Sequence, residues 1–175
     1  MGDGMTLAAL GLGGNLGDPP AAMAQALDAI SRHDHCRLVA VSQLYSTPPW
    51  GNTDQADFFN CCALVETSLE PEALLDLCLD IERGMKRVRD ERWGPRTIDI
   101  DVLTYGDADI VTERVEIPHP RMTERAFVLI PLSDIAPDLV VKDRTIADWL
   151  DDADTTGIKR ANKKREWWAL PFSSV

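Results

Sequence analysis

An α+β fold, a split β-α-β sandwich of one mostly antiparallel sheet with helices packed on it, is predicted by three observations. Apolar and alternating segments of strand length are interleaved with two stretches of helical periodicity, in the order β-α-β-β-α-β, and further pieces follow. Clusters of Gly, Pro, Asn and Asp punctuate that order. Neither an internal repeat nor a linker interrupts it, and 175 residues suit one domain.

Residues 6–12 are apolar and small and run into Gly13-Gly14-Asn15-Leu16-Gly17-Asp18, which reads as a buried strand entering a turn. Asp18 suits a helix N-cap and Pro19 the first helical position, so a helix is expected over 19–32, with Met23, Ala26, Leu27 and Ile30 on its apolar face. Alternation over 37–45 predicts a strand, ended by the loop Thr47-Pro48-Pro49-Trp50-Gly51. A second strand is expected over 58–68. A helix follows over 71–83, carrying Leu74, Leu75, Leu77, Cys78 and Ile81, and 84–96 show no clear period. Residues 97–105 read as a strand and 114–117 as a short edge strand before Pro118. An apolar helix is expected over 125–135. A short one follows over 145–150, with Thr145 as its N-cap.

Composition narrows the function classes. Apolar residues make up 45% and charged residues 27%, which describes a globular chain rather than a disordered one. Without an apolar run near the ~18 residues of a membrane span, and without a basic flank at Met1-Gly2-Asp3-Gly4, a cytoplasmic protein away from membranes is expected. Cys36, Cys61, Cys62 and Cys78 form no C-x-x-C pair and read as buried thiols, Cys61 and Cys62 facing opposite sides of a strand. Eighteen basic residues against 29 acidic give a formal charge of -11, a field that repels nucleic acid. Basic residues are nevertheless concentrated over 83–96, where six of them (Arg83, Lys86, Arg87, Arg89, Arg92, Arg96) face two acids, so that stretch suits an anion. Lys159, Arg160, Lys163, Lys164 and Arg165 form a second cluster. With Trp167 and Trp168 it reads as a tail that docks two rings.

Asp99-Ile100-Asp101 is the sharpest chemical feature. Residues two apart in a strand share a face, so two carboxylates stand side by side, a cradle for Mg²⁺, although a D-x-D pair also fits a solvated strand end. Arg92 and Arg96 just before it offer guanidiniums for phosphate oxygens. Carboxylates for metal and arginines for phosphate together point to phosphoryl transfer. The chain has no G-x-x-x-x-G-K-[ST] loop. Trp93 serves equally as a core anchor or a stacking surface, and His119, between Pro118 and Pro120, also fits a hydrogen-bonded loop residue. The Pro-rich loop with Trp50, Phe58 and Asn60 suits a wall for a flat heterocycle, or an ordinary turn.

Four stretches in this order resemble the 6-hydroxymethyl-7,8-dihydropterin pyrophosphokinase family of folate synthesis, over about residues 5–150. They are Gly13-Gly14-Asn15-Leu16-Gly17-Asp18, Tyr45-Ser46-Thr47-Pro48-Pro49, Arg92-Trp93-Gly94-Pro95-Arg96-Thr97-Ile98-Asp99-Ile100-Asp101, and Ile117-Pro118-His119-Pro120. The resemblance implies a single pyrophosphokinase domain over 1–175, with 151–175 as an extension past the matched part. It implies ATP as co-substrate, two Mg²⁺ ions, and transfer of the β,γ-pyrophosphoryl group to the pterin hydroxymethyl oxygen, leaving AMP. Asp99 and Asp101 would ligate the metals, with Arg87 and Arg96 supporting transfer. Glu82, Arg89, Trp93, Arg96, His119 and Arg125 would hold the nucleotide or close over it. Thr47, Pro48, Trp50, Phe58, Asn60 and Phe127 would bind the pterin, and 84–92 would form a mobile loop over ATP. A monomer is expected.

The same element order is the ferredoxin-like arrangement that also serves non-catalytic nucleotide- or RNA-binding modules, which is the competing reading. A third keeps the enzyme but makes it a nucleotidyl transferase or a simple kinase. Product identity separates the enzymes: AMP for pyrophosphoryl transfer, ADP for a kinase, pyrophosphate for nucleotidyl transfer.

Overall fold

The computed structural model describes residues 4–49, 55–89 and 98–169, with the side chains of 86–89 outside that description. Its strands are β1 (Thr6–Gly14), β2 (Cys36–Val41), β3 (Tyr45–Thr47), β4 (Phe58–Thr67), β5 (Asp99–Tyr105), β6 (Ile110–Val111), β7 (Glu116–Ile117), β8 (Val140–Val141), β9 (Arg144–Thr145) and β10 (Lys159–Arg160). The α-helices are α1 (Pro19–Ser31), α2 (Pro71–Arg89), α3 (Ala126–Ile135) and α4 (Ile146–Asp151).

The main sheet runs β10-β3-β4-β1-β5, with β2 also paired to β4, and every pairing is antiparallel. Two cores lie on its two faces. Ala8, Leu10, Leu12, Cys61, Ile100 and Val102 point to the face covered by Met23, Leu27 and Ile30 of α1 and Leu74, Cys78 and Met85 of α2. Ala9, Cys62, Leu64 and Leu103 point to the other, under Val128, Leu129 and Leu132 of α3 and Ile146 of α4. Period-two alternation thus divides the strands between two cores, and Cys61 and Cys62 do face opposite sides. All four cysteines are buried free thiols. Burial pushes the Cys61 thiol far up and that of Cys78 to about 12, so both are unreactive acids.

The helix starts follow capping chemistry. Asp18 accepts from the Ala21 amide at 3.2 Å at the head of α1, and Thr145 from the Asp148 amide at 3.1 Å at the head of α4.

Several expectations need correction. The strand expected over 37–45 is two strands, because Ser42 and Leu44 take partners outside a regular ladder. The Ser42 hydroxyl accepts from the Cys62 amide at 2.9 Å, and the Leu44 amide donates to Asn162 Oδ1 at 3.0 Å. β1 runs two residues further than expected, through Gly13 and Gly14, which pair with Asn60 and Phe59. α2 continues past 83 to Arg89, so residues 84–89 are helix and not loop. Met85, buried on the stripe of Leu74, Cys78 and Ile81, carries the apolar spacing another turn. The segment expected as a strand over 114–117 pairs only through Glu116 and Ile117. The Arg114 amide instead closes a turn on Thr112 Oγ1 at 3.2 Å. Trp167 docks as expected, 2% exposed, its Nε1 donating to the Ser42 carbonyl at 3.0 Å.

Candidate active site

On the α3 face, antiparallel register lines up the chemistry in rows. Gly13 of β1 lies between Asn60 of β4 and Asp99 of β5, and Gly11 lies between Cys62 and Asp101. Two strand spacings put the outer members of each row about 10 Å apart, with glycine leaving a trough between them. The trough is needed: a Cβ on Gly13 would stand 2.5 Å from Asn60 Nδ2. Asp99 and Asp101 share this face because Ile98, Ile100 and Val102 take the apolar alternation into the opposite core.

A cavity of about 560 Å³ sits over the trough. Its floor is Gly11 to Asn15, with Asp99 and Asp101 on one side and Asn60 on the other. Thr47 and Pro48 form a wall, since Thr47 is paired with Phe58 across β3 and β4. Phe58 and Phe127, 40% and 37% exposed, line it, and the Arg125 guanidinium stands 5.7 Å from the Phe127 ring centroid. Thr47 Oγ1 is buried with no hydrogen-bond partner among the described residues. Asn15 Nδ2 donates to Gln55 Oε1 at 3.3 Å, joining two loop segments near this floor.

A second cavity, about 230 Å³, lies over the β5 edge and is lined by Leu75, Val102, Arg114, Glu116 and His119. Asp101 lines both cavities. The Arg114 guanidinium pairs with Glu72 at 3.3 Å and with Asp76, which fixes it against α2. The His119 amide donates to the Leu103 carbonyl at 2.9 Å, and its Nδ1 accepts from the Arg121 amide at 3.2 Å. Nδ1 as acceptor puts the neutral ring's proton on Nε2. Burial pushes the His119 pKa below its ordinary value, and nearby Asp101 opposes that shift with less effect.

Of the residues singled out in the sequence, the structure gathers Thr47, Pro48, Phe58, Asn60, Asp99, Asp101, Arg125 and Phe127 around the larger cavity. His119 lines the smaller one. Glu82 lines neither: its carboxylate accepts from the Ile100 amide at 2.7 Å, between the two aspartates. Trp50, Trp93 and Arg96 lie outside the described residues, as do the side chains of Arg87 and Arg89 on the last turn of α2. Gly11, Arg114 and Glu116 were missed by the sequence reading. Arg114 had a signal in Glu72 and Asp76, four apart on one helix face and able to receive a guanidinium.

Among the described residues no group of three or more His, Cys, Asp or Glu is gathered as a metal site. Asp99 and Asp101 alone are hard oxygen donors that fit Mg²⁺, which takes one or two carboxylates and completes its shell with water and phosphate oxygens.

Comparison with known proteins shows which chains this one is similar to. Residues 9–137 match the family described as 7,8-dihydro-6-hydroxymethylpterin-pyrophosphokinase (HPPK). The chain is 49% identical over 156 residues to the 2-amino-4-hydroxy-6-hydroxymethyldihydropteridine pyrophosphokinase of Methylorubrum extorquens, covering 89% of this chain and 99% of that protein. It is 46% identical over 150 residues to the Pseudomonas aeruginosa protein of the same name, covering 85% and 93%. In fold it is similar to a crystal structure of Plasmodium falciparum HPPK-DHPS with pteroate. The TM-score is 0.68 at 16% identity, over 86% of this chain and 43% of that one.

Proposed function

The chain belongs to the 7,8-dihydro-6-hydroxymethylpterin-pyrophosphokinase family, and from that premise we propose how its own residues carry out the reaction. It is an ATP-dependent pyrophosphokinase of folate synthesis, and membership of this family sets aside the binding-module reading. The pterin hydroxymethyl oxygen attacks the β-phosphorus of ATP. The bond from that phosphorus to the oxygen shared with the α-phosphate breaks, AMP leaves with the oxygen, and the attacking hydroxyl gives up its proton.

The observation that carries the site assignment is the row Asn60-Gly13-Asp99. The pterin lies in the glycine trough beside the Thr47–Pro48 wall, its polar edge toward the Asn60 amide and its ring faces against Phe58 and Phe127. That orientation directs the hydroxymethyl group toward Asp99 and Asp101. Those two carboxylates would hold Mg²⁺, for which two ions are proposed, and a metal bound there would supply positive charge to offset that of the phosphate oxygens. The nucleotide extends past Asp101 into the smaller cavity, where Arg114 and His119 line its path, and Arg125 contributes positive charge from the pterin side. Arg87, Arg89, Trp93 and Arg96 are assigned to the phosphates and nucleotide, and Trp50 to the pterin, on their motif positions. Glu82 acts on the nucleotide side through the Ile100 backbone, which it holds between the two aspartates. The reading extends to one pyrophosphokinase domain over 1–175 that works as a monomer, in a reducing cytoplasm that four free thiols suit, and without nucleic acid, which a charge of -11 repels.

The test incubates the protein with ATP, Mg²⁺ and 6-hydroxymethyl-7,8-dihydropterin and separates the nucleotides. AMP that forms only with the pterin is expected. Asp99→Asn and Asp101→Asn should each lower kcat by about 10² or more with unchanged melting temperature. Full turnover in both variants overturns the metal assignment.

A further inference from the structure

The cavity wall at Thr47 and Pro48 rests on a three-residue strand, too short to hold its own position. β4 supports it on one side. On the other side stands a segment more than a hundred residues away in the chain, beyond the residues matched by the family. β10 pairs Lys159 with Ser46 and Arg160 with Tyr45. The Ala161 amide then donates to the Leu44 carbonyl at 2.7 Å, and Asn162 Oδ1 accepts from the Leu44 amide at 3.0 Å, so both backbone groups of Leu44 belong to this segment.

Asn162 is 5% exposed and uses its remaining donors fully. Its Nδ2 donates to Gln43 Oε1 at 2.6 Å and to the Lys164 carbonyl at 2.9 Å. Trp167 anchors the end of the segment on the Ser42 carbonyl. At the other end Gly157, at φ +84°, turns the chain so closely to the wall that an added Cβ would meet Pro48 Cδ at 3.4 Å. A buried amide with every group satisfied fixes one geometry, because each alternative leaves a backbone group of Leu44 unpaired in the interior. None of residues 157–168 lines the cavity.

We propose that residues 157–167 are a positioning clamp that sets the Tyr45–Thr47 strand and Pro48 for pterin binding, with Asn162 as its central positioning residue. This rests on the reading that Thr47 and Pro48 face the pterin. The clamp acts on one substrate only, since the acids and the smaller cavity belong to β5 and its neighbours.

The test compares Asn162→Ala and Ala161→Pro with the unaltered full chain. Ala161→Pro deletes one backbone donor and stands in if the first variant fails to fold. Hydrogen exchange at Leu44 reports release of the clamp, and steady-state kinetics reports its effect. The KM for 6-hydroxymethyl-7,8-dihydropterin is expected to rise about tenfold, the loss of one good hydrogen bond's worth of placement, with the KM for ATP within about twofold. An unchanged pterin KM, or equal rises for both substrates, overturns the clamp. Phe58→Ala separates this from the reading beneath it. If Phe58→Ala raises the pterin KM and the clamp variants do not, only the clamp falls. If Phe58→Ala does not raise it, the pterin assignment falls, and the clamp's role with it.

Discussion

His119 shows how one side chain's surroundings decide its protonation. Its Nδ1 is committed to the Arg121 amide and its ring is partly desolvated, so the fold favours the neutral form. Its pKa in the folded protein therefore lies below 6.5, the ordinary value. As pH falls through 6.5 the unfolded chain takes up this proton first. The neutral ring's contribution to stability is thus present above 6.5 and is lost as pH drops toward the folded pKa. An NMR titration of the ligand-free protein should give a midpoint below 6.5 for this ring; a midpoint at or above it contradicts the assignment. Asn60 and Gly13 make a different point at the same scale. The sequence marks Asn60 as an amide on a strand and Gly13 as part of a turn. Their contact is set by a pairing of strands 47 residues apart, and no local pattern encodes that.

Among elements, the tie between α2 and β5 is the most consequential. Glu82 projects from α2 to the buried Ile100 amide and so fixes the start of the strand that carries both aspartates. Glu82→Ala leaves that donor without its carboxylate and should cost about 1–3 kcal/mol, with Glu82→Gln recovering most of it. Thermal unfolding decides: for a chain of this size the loss is about 2–4 °C per kcal/mol. A shift absent in Glu82→Ala would mean that the bond adds nothing to stability. Elements with strong internal signals were legible in the sequence, among them α1 with its Asp-Pro start and β5 with its alternating isoleucines and aspartates. The β8–β9 hairpin was not, because its turn is Lys142-Asp143, both at positive φ, without the Asn-Gly or Asp-Gly pair that marks such turns. β10 was equally hidden. Two basic residues in a polar stretch become a strand only because β3 offers them an open edge.

Over the whole molecule, the two cores are joined through one sheet, and Trp167 belongs to the core between that sheet and α1 and α2. Trp167→Ala empties the volume of a large ring and unpairs the Ser42 carbonyl. It should destabilise by about 3–5 kcal/mol, a melting shift of about 6–20 °C, which calorimetry would resolve. A shift of less than about 2 °C would show that the tail packs on an already complete core. The split β-α-β order was legible because hydrophobic periodicity records it. That a distant basic tail completes the sheet was not, because the bond between Leu44 and Asn162 spans 118 residues. That span also orders events in time during synthesis. At about 5–20 residues per second, a ribosome delivers Asn162 roughly 6–24 s after Leu44. From the completion of β4 until β10 arrives, β3 has one unpartnered edge, open to pairing with any other strand that reaches it first.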